Sequence, residues 1–204
     1  MRIALAQINP LVGDLLGNGE QLLRACRLAA EQGADLVVAP ELALWGYPPR
    51  DLLLRPALRQ RQAQALDQLA AQLPAELALL LGVSESASDG QQPDLFNAAA
   101  LVEAGDWRVV ARKRLLPSYD VFDERRYFVS GREAGLQPLV VQADGWKVGV
   151  LICEDAWFDE PAQAAAAAGA QALVVLNASP FHAGKLAECE QRIDRKSTRL
   201  NSSH

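Results

Sequence analysis

Short apolar runs that stop at a reactive side chain constrain this sequence more than any other feature. Leu36-Val37-Val38-Ala39-Pro40 leads to Glu41, Val109-Val110-Ala111-Arg112 to Lys113, and Val148-Gly149-Val150-Leu151-Ile152 to Cys153. Apolar runs of this length read as strands buried on both faces. A sheet of such strands needs further layers on either side. Arg2 to Gln7 alternates and reads as a first strand. Asn18 is placed to cap a helix running through Leu22, Leu23, Cys26 and Ala30, with Gly33 at its C′ position.

Ala57 to Gln72 has helical spacing, with Leu58, Leu66 and Leu69 on roughly one face, and Leu77 to Val83 is another buried strand. Ser84 to Asp94 is polar and turn-rich. Ala98 to Glu103 and Trp107 to Lys113 read as strands joined at Gly105-Asp106, while Leu139 to Ala143 and Lys147 to Ile152 flank the hairpin signal Asp144-Gly145. Pro161 stands at the first position of an alanine-rich helix that Gly169 closes, and Ala172 to Leu176 is the last strand. Strands alternating with helices at both ends, with hairpins between, predict an α/β fold of two sheet layers with helices outside and no domain linker.

Composition narrows the function classes. Of 204 residues, 50% are hydrophobic and 22% charged, which excludes disorder and supplies a sizeable core. The formal charge of −5 gives no footprint for nucleic acid or an anionic membrane. No apolar run approaches the roughly 18 residues of a membrane helix and the amino terminus lacks a signal-peptide stretch, so a cytoplasmic location is expected. Cys26, Cys153 and Cys189 form no CxxC pair and there are two histidines, which argues against a disulfide framework and against a metal site. The stretch from Asp194 to His204 breaks from the Ala/Leu-rich texture and looks like the in-frame translation of a sequencing-library adapter. Fold reasoning is therefore confined to residues 1–193.

In α/β proteins the carboxyl edge of the sheet is where ligand sites gather, so Glu41, Lys113 and Cys153 converge if their strands are neighbours. A cysteine beside carboxylates needs a cation or a base to reach its thiolate. Lys113 can supply the charge and Glu41 can carry the proton. His182 is the only histidine before the tail, which leaves a Cys-His dyad resting on one residue. On spacing alone a core cysteine and two solvated strand caps are the more usual reading.

Pro40-Glu41-Leu42, Arg112-Lys113-Arg114-Leu115-Leu116-Pro117 and Leu151-Ile152-Cys153-Glu154-Asp155 together resemble the Glu-Lys-Cys signature of the nitrilase, or carbon-nitrogen hydrolase, superfamily. Within it, Gly46-Tyr47-Pro48-Pro49-Arg50-Asp51-Leu52-Leu53, the segment Tyr119 to Phe128 and Asn177-Ala178-Ser179-Pro180-Phe181 are similar to the amidase domain of glutamine-dependent NAD+ synthetases. The resemblance runs from Arg2 to about Glu190. It implies an αββα sandwich, C-terminally truncated in this chain, and a glutaminase that releases ammonia through a cysteine thioester.

By matching positions, the resemblance makes Cys153 the nucleophile, Glu41 the general base, and Lys113 with the Glu154 N–H the oxyanion donors. Glu124 would orient Lys113. Tyr119, Glu154, Ser179 and Lys185 would hold glutamine, with Tyr47 lining the site. His182, Cys26 and Cys189 match no catalytic position. The amidase step implies no cofactor. ATP and Mg would serve a synthetase domain whose Ser-Gly-Gly-x-Asp-Ser type phosphate loop does not occur here, and whose partner role is to consume the ammonia. Such proteins commonly form homo-oligomers through the amidase domain, and the chain alone is expected to be poorly active. A free-standing aliphatic amidase and an inactive folded fragment remain the alternatives.

Overall fold

Strands β1 (Ile3–Leu5), β2 (Leu36–Val38), β3 (Ala78–Ser86), β4 (Leu95–Glu103) and β5 (Asp106–Arg112) lie side by side in that order. Pairing is parallel from β1 to β3 and antiparallel from β3 to β5, so β2 and β5 run the same way and end at the same edge. Helices α1 (Leu15–Glu31) and α2 (Pro56–Gln72) make the two parallel crossovers. A second sheet holds β6 (Val140–Ala143), β7 (Trp146–Ile152) and β8 (Ala172–Leu176), with α3 (Asp159–Ala167) connecting the parallel pair β7 and β8. The computed structural model describes residues 1–87, 93–119, 122–136, 140–143, 145–179, 183–184, 187 and 190–191.

The side-chain alternation of a strand explains the layering. Val37, Leu79, Leu81, Ala98 and Ala100 pack with Leu22, Cys26, Leu66 and Leu69 of the helices. Their neighbours Leu36, Val38, Leu80, Ala99 and Leu101 face Val148, Val150, Ile152, Val174 and Leu176 of the second sheet. Both faces are covered at the centre of the first sheet, which is why β2 and most of β3 read as unbroken apolar runs. On the outer face of the second sheet Gly149 admits α3: a Cβ there would lie 2.9 Å from Ala165 Cβ. Helix, sheet, sheet, helix is the αββα order.

Several local expectations are corrected. Asp14, not Asn18, caps α1, accepting from the Gly17 N–H at 3.0 Å. Asn18 is fully buried one turn later, where its side chain ties the Leu11 backbone to the Leu44 carbonyl. Pro161 is the third residue of α3 and not the first. The turn-rich reading from Ser84 fails at its start, because β3 continues to Ser86 paired with β4. The first strand is shorter than the alternating stretch. The Gly145 hairpin forms as expected, with Ala143 opposite Trp146 and Val140 opposite Gly149, whereas Leu139 and Asp144 lie outside the described residues.

Candidate active site

Glu41, Lys113 and Cys153 do meet, though not on neighbouring strands. β3 and β4 separate β2 from β5, and β7 belongs to the other sheet. Convergence comes from stacking the sheets with the ends of β2, β5 and β7 at one place. Glu41 is brought in by a backbone approach that only glycine permits: the Gly82 N–H donates to the Pro40 carbonyl at 3.0 Å, and a Cβ at Gly82 would stand 2.0 Å from the Leu42 nitrogen. Cys153 opens a short 3-10 turn, Cys153–Trp157, with φ +46°. A left-handed backbone at a non-glycine residue is strained and needs surrounding structure to hold it.

That structure is supplied by Asp155. Its buried carboxylate accepts N–H groups from Ile152 at 3.2 Å, Arg114 at 3.0 Å and Leu115 at 2.9 Å, fastening the cysteine turn to the segment following Lys113. Burial pushes the Asp155 carboxyl up to about 7, against those backbone donors and Lys113, which favour its charged form.

Lys113 has no exposed surface, which removes the solvated-cap alternative. Its Nζ donates to Glu41 Oε1 at 2.7 Å and to Glu124 Oε1 at 2.9 Å, with Glu124 Oε2 at 2.8 Å. Burial by itself would lower the lysine, but Glu41, Glu124 and Cys153 together hold it above the ordinary range. Glu124, on the turn Glu124–Arg126, is raised by burial against the pull of Lys113, and accepts the Tyr47 hydroxyl at 2.9 Å. Tyr47 is itself held above the usual phenol range by burial and by Glu124 and Glu41.

The single ammonium is thus shared between two carboxylates. Cys153 is pushed up to about 12 by burial and the nearby Glu41, with Lys113 and Ser179 only partly offsetting them. At neutral pH it rests as a thiol, so of the two activating groups, cation and base, the base matters more. Glu41 is 1% exposed, and its Oε2 has no hydrogen-bond partner among the described residues, leaving a buried acceptor able to take a proton.

Ser179 Oγ lies 3.6 Å from Cys153 Sγ and donates to Asn177 Oδ1 at 2.7 Å. Tyr119 donates to both oxygens of Glu154, at 3.1 and 3.0 Å. Glu154 is 7% exposed, and no described basic side chain pairs with it. Lys185, His182 and Cys189 lie outside the described residues, while Cys26 packs in the core. Asn97, which no sequence motif singles out, also reaches the centre, donating to Glu41 Oε1 at 2.8 Å. Its only sequence signal is one amide inside the run from Leu95 to Val102.

A cleft of about 370 Å³, lined by Tyr47, Pro49, Arg50, Phe122, Glu124 and Tyr127 among others, reaches the cluster from the Glu124 side. Cys153 does not line it. No group of three or more His, Cys, Asp or Glu suited to a metal ion occurs among the described residues.

A buried Glu-Lys-Glu-Cys centre at one end of an αββα sandwich defines a class, and comparison with known proteins gives its family. The carbon-nitrogen hydrolase family model matches residues 2–191, and the chain belongs to that family. It is 42% identical to the glutamine-dependent NAD(+) synthetase of Thermotoga maritima over 91% of this chain and 31% of the relative. The structure of glutamine-dependent NAD+ synthetase from Acinetobacter baumannii superposes with a TM-score of 0.87 at 36% identity, covering 97% of this chain and 36% of that one. An amidase from Nesterenkonia sp. superposes with a TM-score of 0.71 at 28% identity, covering 91% of this chain and 68% of that one. The chain spans about a third of the length of the curated relatives it matches.

Proposed function

We propose that this chain is the glutaminase part of a glutamine-dependent NAD+ synthetase, comprising residues 1–193, with 194–204 foreign to the domain. The observation that carries the chemistry is the buried Lys113 shared by Glu41 and Glu124 beside a resting thiol. Cys153 Sγ attacks the glutamine carboxamide carbon as its proton passes to Glu41 Oε2. The carbonyl π pair moves to oxygen, where the Lys113 ammonium and the Glu154 N–H hold the oxyanion. Collapse breaks the C–N bond, Glu41 returns the proton to the departing ammonia, and a thioester remains. Glu41 then takes a proton from water as that water attacks the thioester carbon, and returns it to the Cys153 sulfur as the C–S bond breaks and glutamate leaves.

The buried Glu154 carboxylate, paired with a neutral phenol, is suited to the α-ammonium of an amino-acid amide. Lys185 would pair with its α-carboxylate, with Tyr119, Ser179 and Tyr47 completing the pocket. Ammonia would pass to a synthetase domain beyond this chain, which uses ATP and Mg to amidate nicotinic acid adenine dinucleotide in a cytoplasmic homo-oligomer. No helix among the described residues is long and apolar enough to cross a membrane. The relatives named as glutamine-dependent NAD+ synthetases support this reading. The Nesterenkonia amidase, one variant of which shows Michael addition of acrylamide at its active-site cysteine, supports the reading of Cys153 as the nucleophile alone.

Ammonia release from glutamine by the intact polypeptide carrying this chain tests the assignment. Cys153→Ala should lower kcat by at least about a thousandfold without unfolding the protein. Simple aliphatic amides should be poor substrates, since they leave Glu154 without its cation. Hydrolysis surviving Cys153→Ala would remove the nucleophile, and a preference for propionamide would favour a free-standing aliphatic amidase.

A further inference from the structure

Asn97 lies in β4 with no exposed surface, inside an otherwise apolar run. Two separate bonds tie it to the site. Its backbone carbonyl accepts the Lys113 N–H at 2.8 Å, and its side-chain Nδ2 donates to Glu41 Oε1 at 2.8 Å. Because an ionised carboxylate only accepts, the amide nitrogen must be the atom facing Glu41, which fixes the side chain's orientation. Lys113 Nζ donates to that same Oε1. Both donors are therefore on one oxygen, while Glu41 Oε2 and Asn97 Oδ1 are buried without partners among the described residues. Buried polar atoms left unpaired in this way are costly and uncommon.

We infer that Asn97 is a positioning residue that sets which oxygen of Glu41 acts. One residue fixes the lysine through its backbone and the glutamate through its side chain, saturating Oε1 and reserving Oε2 for the Cys153 proton. Asn97 itself neither gains nor loses a proton: the S–H bond breaks, an O–H bond forms at Oε2, and the sulfur pair goes to the electrophilic carbon. The inference rests on the reading of Cys153 as nucleophile and Glu41 as base, but not on glutamine as the substrate.

Iodoacetamide provides a probe independent of glutamine. The carbon–sulfur bond forms as iodide leaves, and the thiol proton goes to Glu41. Peptide mapping of the intact polypeptide separates Cys153 from the other cysteines. Among the described residues the titratable groups facing Glu41 are Lys113, Glu124, Tyr47 and Cys153; Asn97→Ala leaves this set unchanged, whereas Asn97→Asp adds one carboxylate to it. Asn97→Ala removes a donor to the charged carboxylate, so alkylation of Cys153 should slow about tenfold at neutral pH and its acid limb should move to higher pH. Asn97→Asp, nearly the same size, adds a third carboxylate to Glu41 and Glu124 and should move that limb further, by about one pH unit or more. With glutamine, kcat should fall in step while KM stays within about threefold.

An unchanged alkylation rate and acid limb in either variant, provided it folds, overturns the inference. If Asn97→Ala does not fold, Asn97→Asp decides. If the wild type fails to hydrolyse glutamine yet Cys153 alkylation follows Asn97 as described, the substrate reading is lost and the positioning role stands.

Discussion

Lys113 is the residue on which the site's electrostatics turn. One buried ammonium serves two carboxylates, and removing it leaves Glu41 and Glu124 facing each other away from water. Breaking a buried pair from one side costs far more than the pair contributes. Lys113→Met should therefore destabilise the domain by about 3–5 kcal/mol at pH near 8 in denaturant unfolding. The deficit should shrink as pH falls, because Glu124, raised by burial and then without the pull of Lys113, gains its proton in the folded state at a higher pH than in the unfolded chain. A loss below about 1 kcal/mol, or one independent of pH, would show that water reaches the cluster. Burial and the nearby Glu41 leave Cys153 a thiol at rest, with Lys113 only partly offsetting them.

At the scale of elements, the decisive contact is between β3 and the turn after β2. Gly82→Ala would drive its Cβ into Leu42 N, Glu41 C and Glu41 Cα, at 2.0, 2.6 and 2.7 Å, all backbone that no rotamer change can move. The expected cost is about 1–3 kcal/mol, with at least a tenfold fall in activity as Glu41 shifts. Thermal melting and ammonia release measure the two effects, and wild-type values in both would show that the turn can give way. Placement after apolar strands raised the convergence of Glu41, Lys113 and Cys153 but did not separate it from a core cysteine and two solvated caps; the three motifs taken together, through their resemblance to a Glu-Lys-Cys signature, made these residues legible as one site. Asn97, Gly82 and Asp155 were not. Each is a single letter whose importance depends on which strand lies opposite, and the sequence does not encode that pairing locally. The cap of α1 was misplaced for the same reason: Asn18 has cap chemistry, but its partner is Leu44, 26 residues away.

At the scale of the molecule, the alternation of helices and apolar strands correctly implied two covered sheets. It did not reveal how the three reactive ends meet. Neighbouring strands were the simplest expectation, whereas the ends converge because β7 stacks on the first sheet with β2 and β5 already parallel in it. Glu41 and Lys113 arrive from one sheet, Glu124 from the turn in the connection between the sheets, and the thiol from the other sheet, with Asp155 fastening the cysteine turn to the segment after Lys113. This division makes the packing of the two sheets a condition for chemistry, and the proposed function stands or falls on what happens at the sulfur. The most direct measurement is rapid quenching of the intact polypeptide during turnover of glutamine, followed by peptide mass mapping. The expected result is a γ-glutamyl thioester on Cys153 that forms and decays fast enough to carry the steady-state rate. Steady glutamate production with Cys153 unmodified, or with the acyl group on another residue, would contradict it.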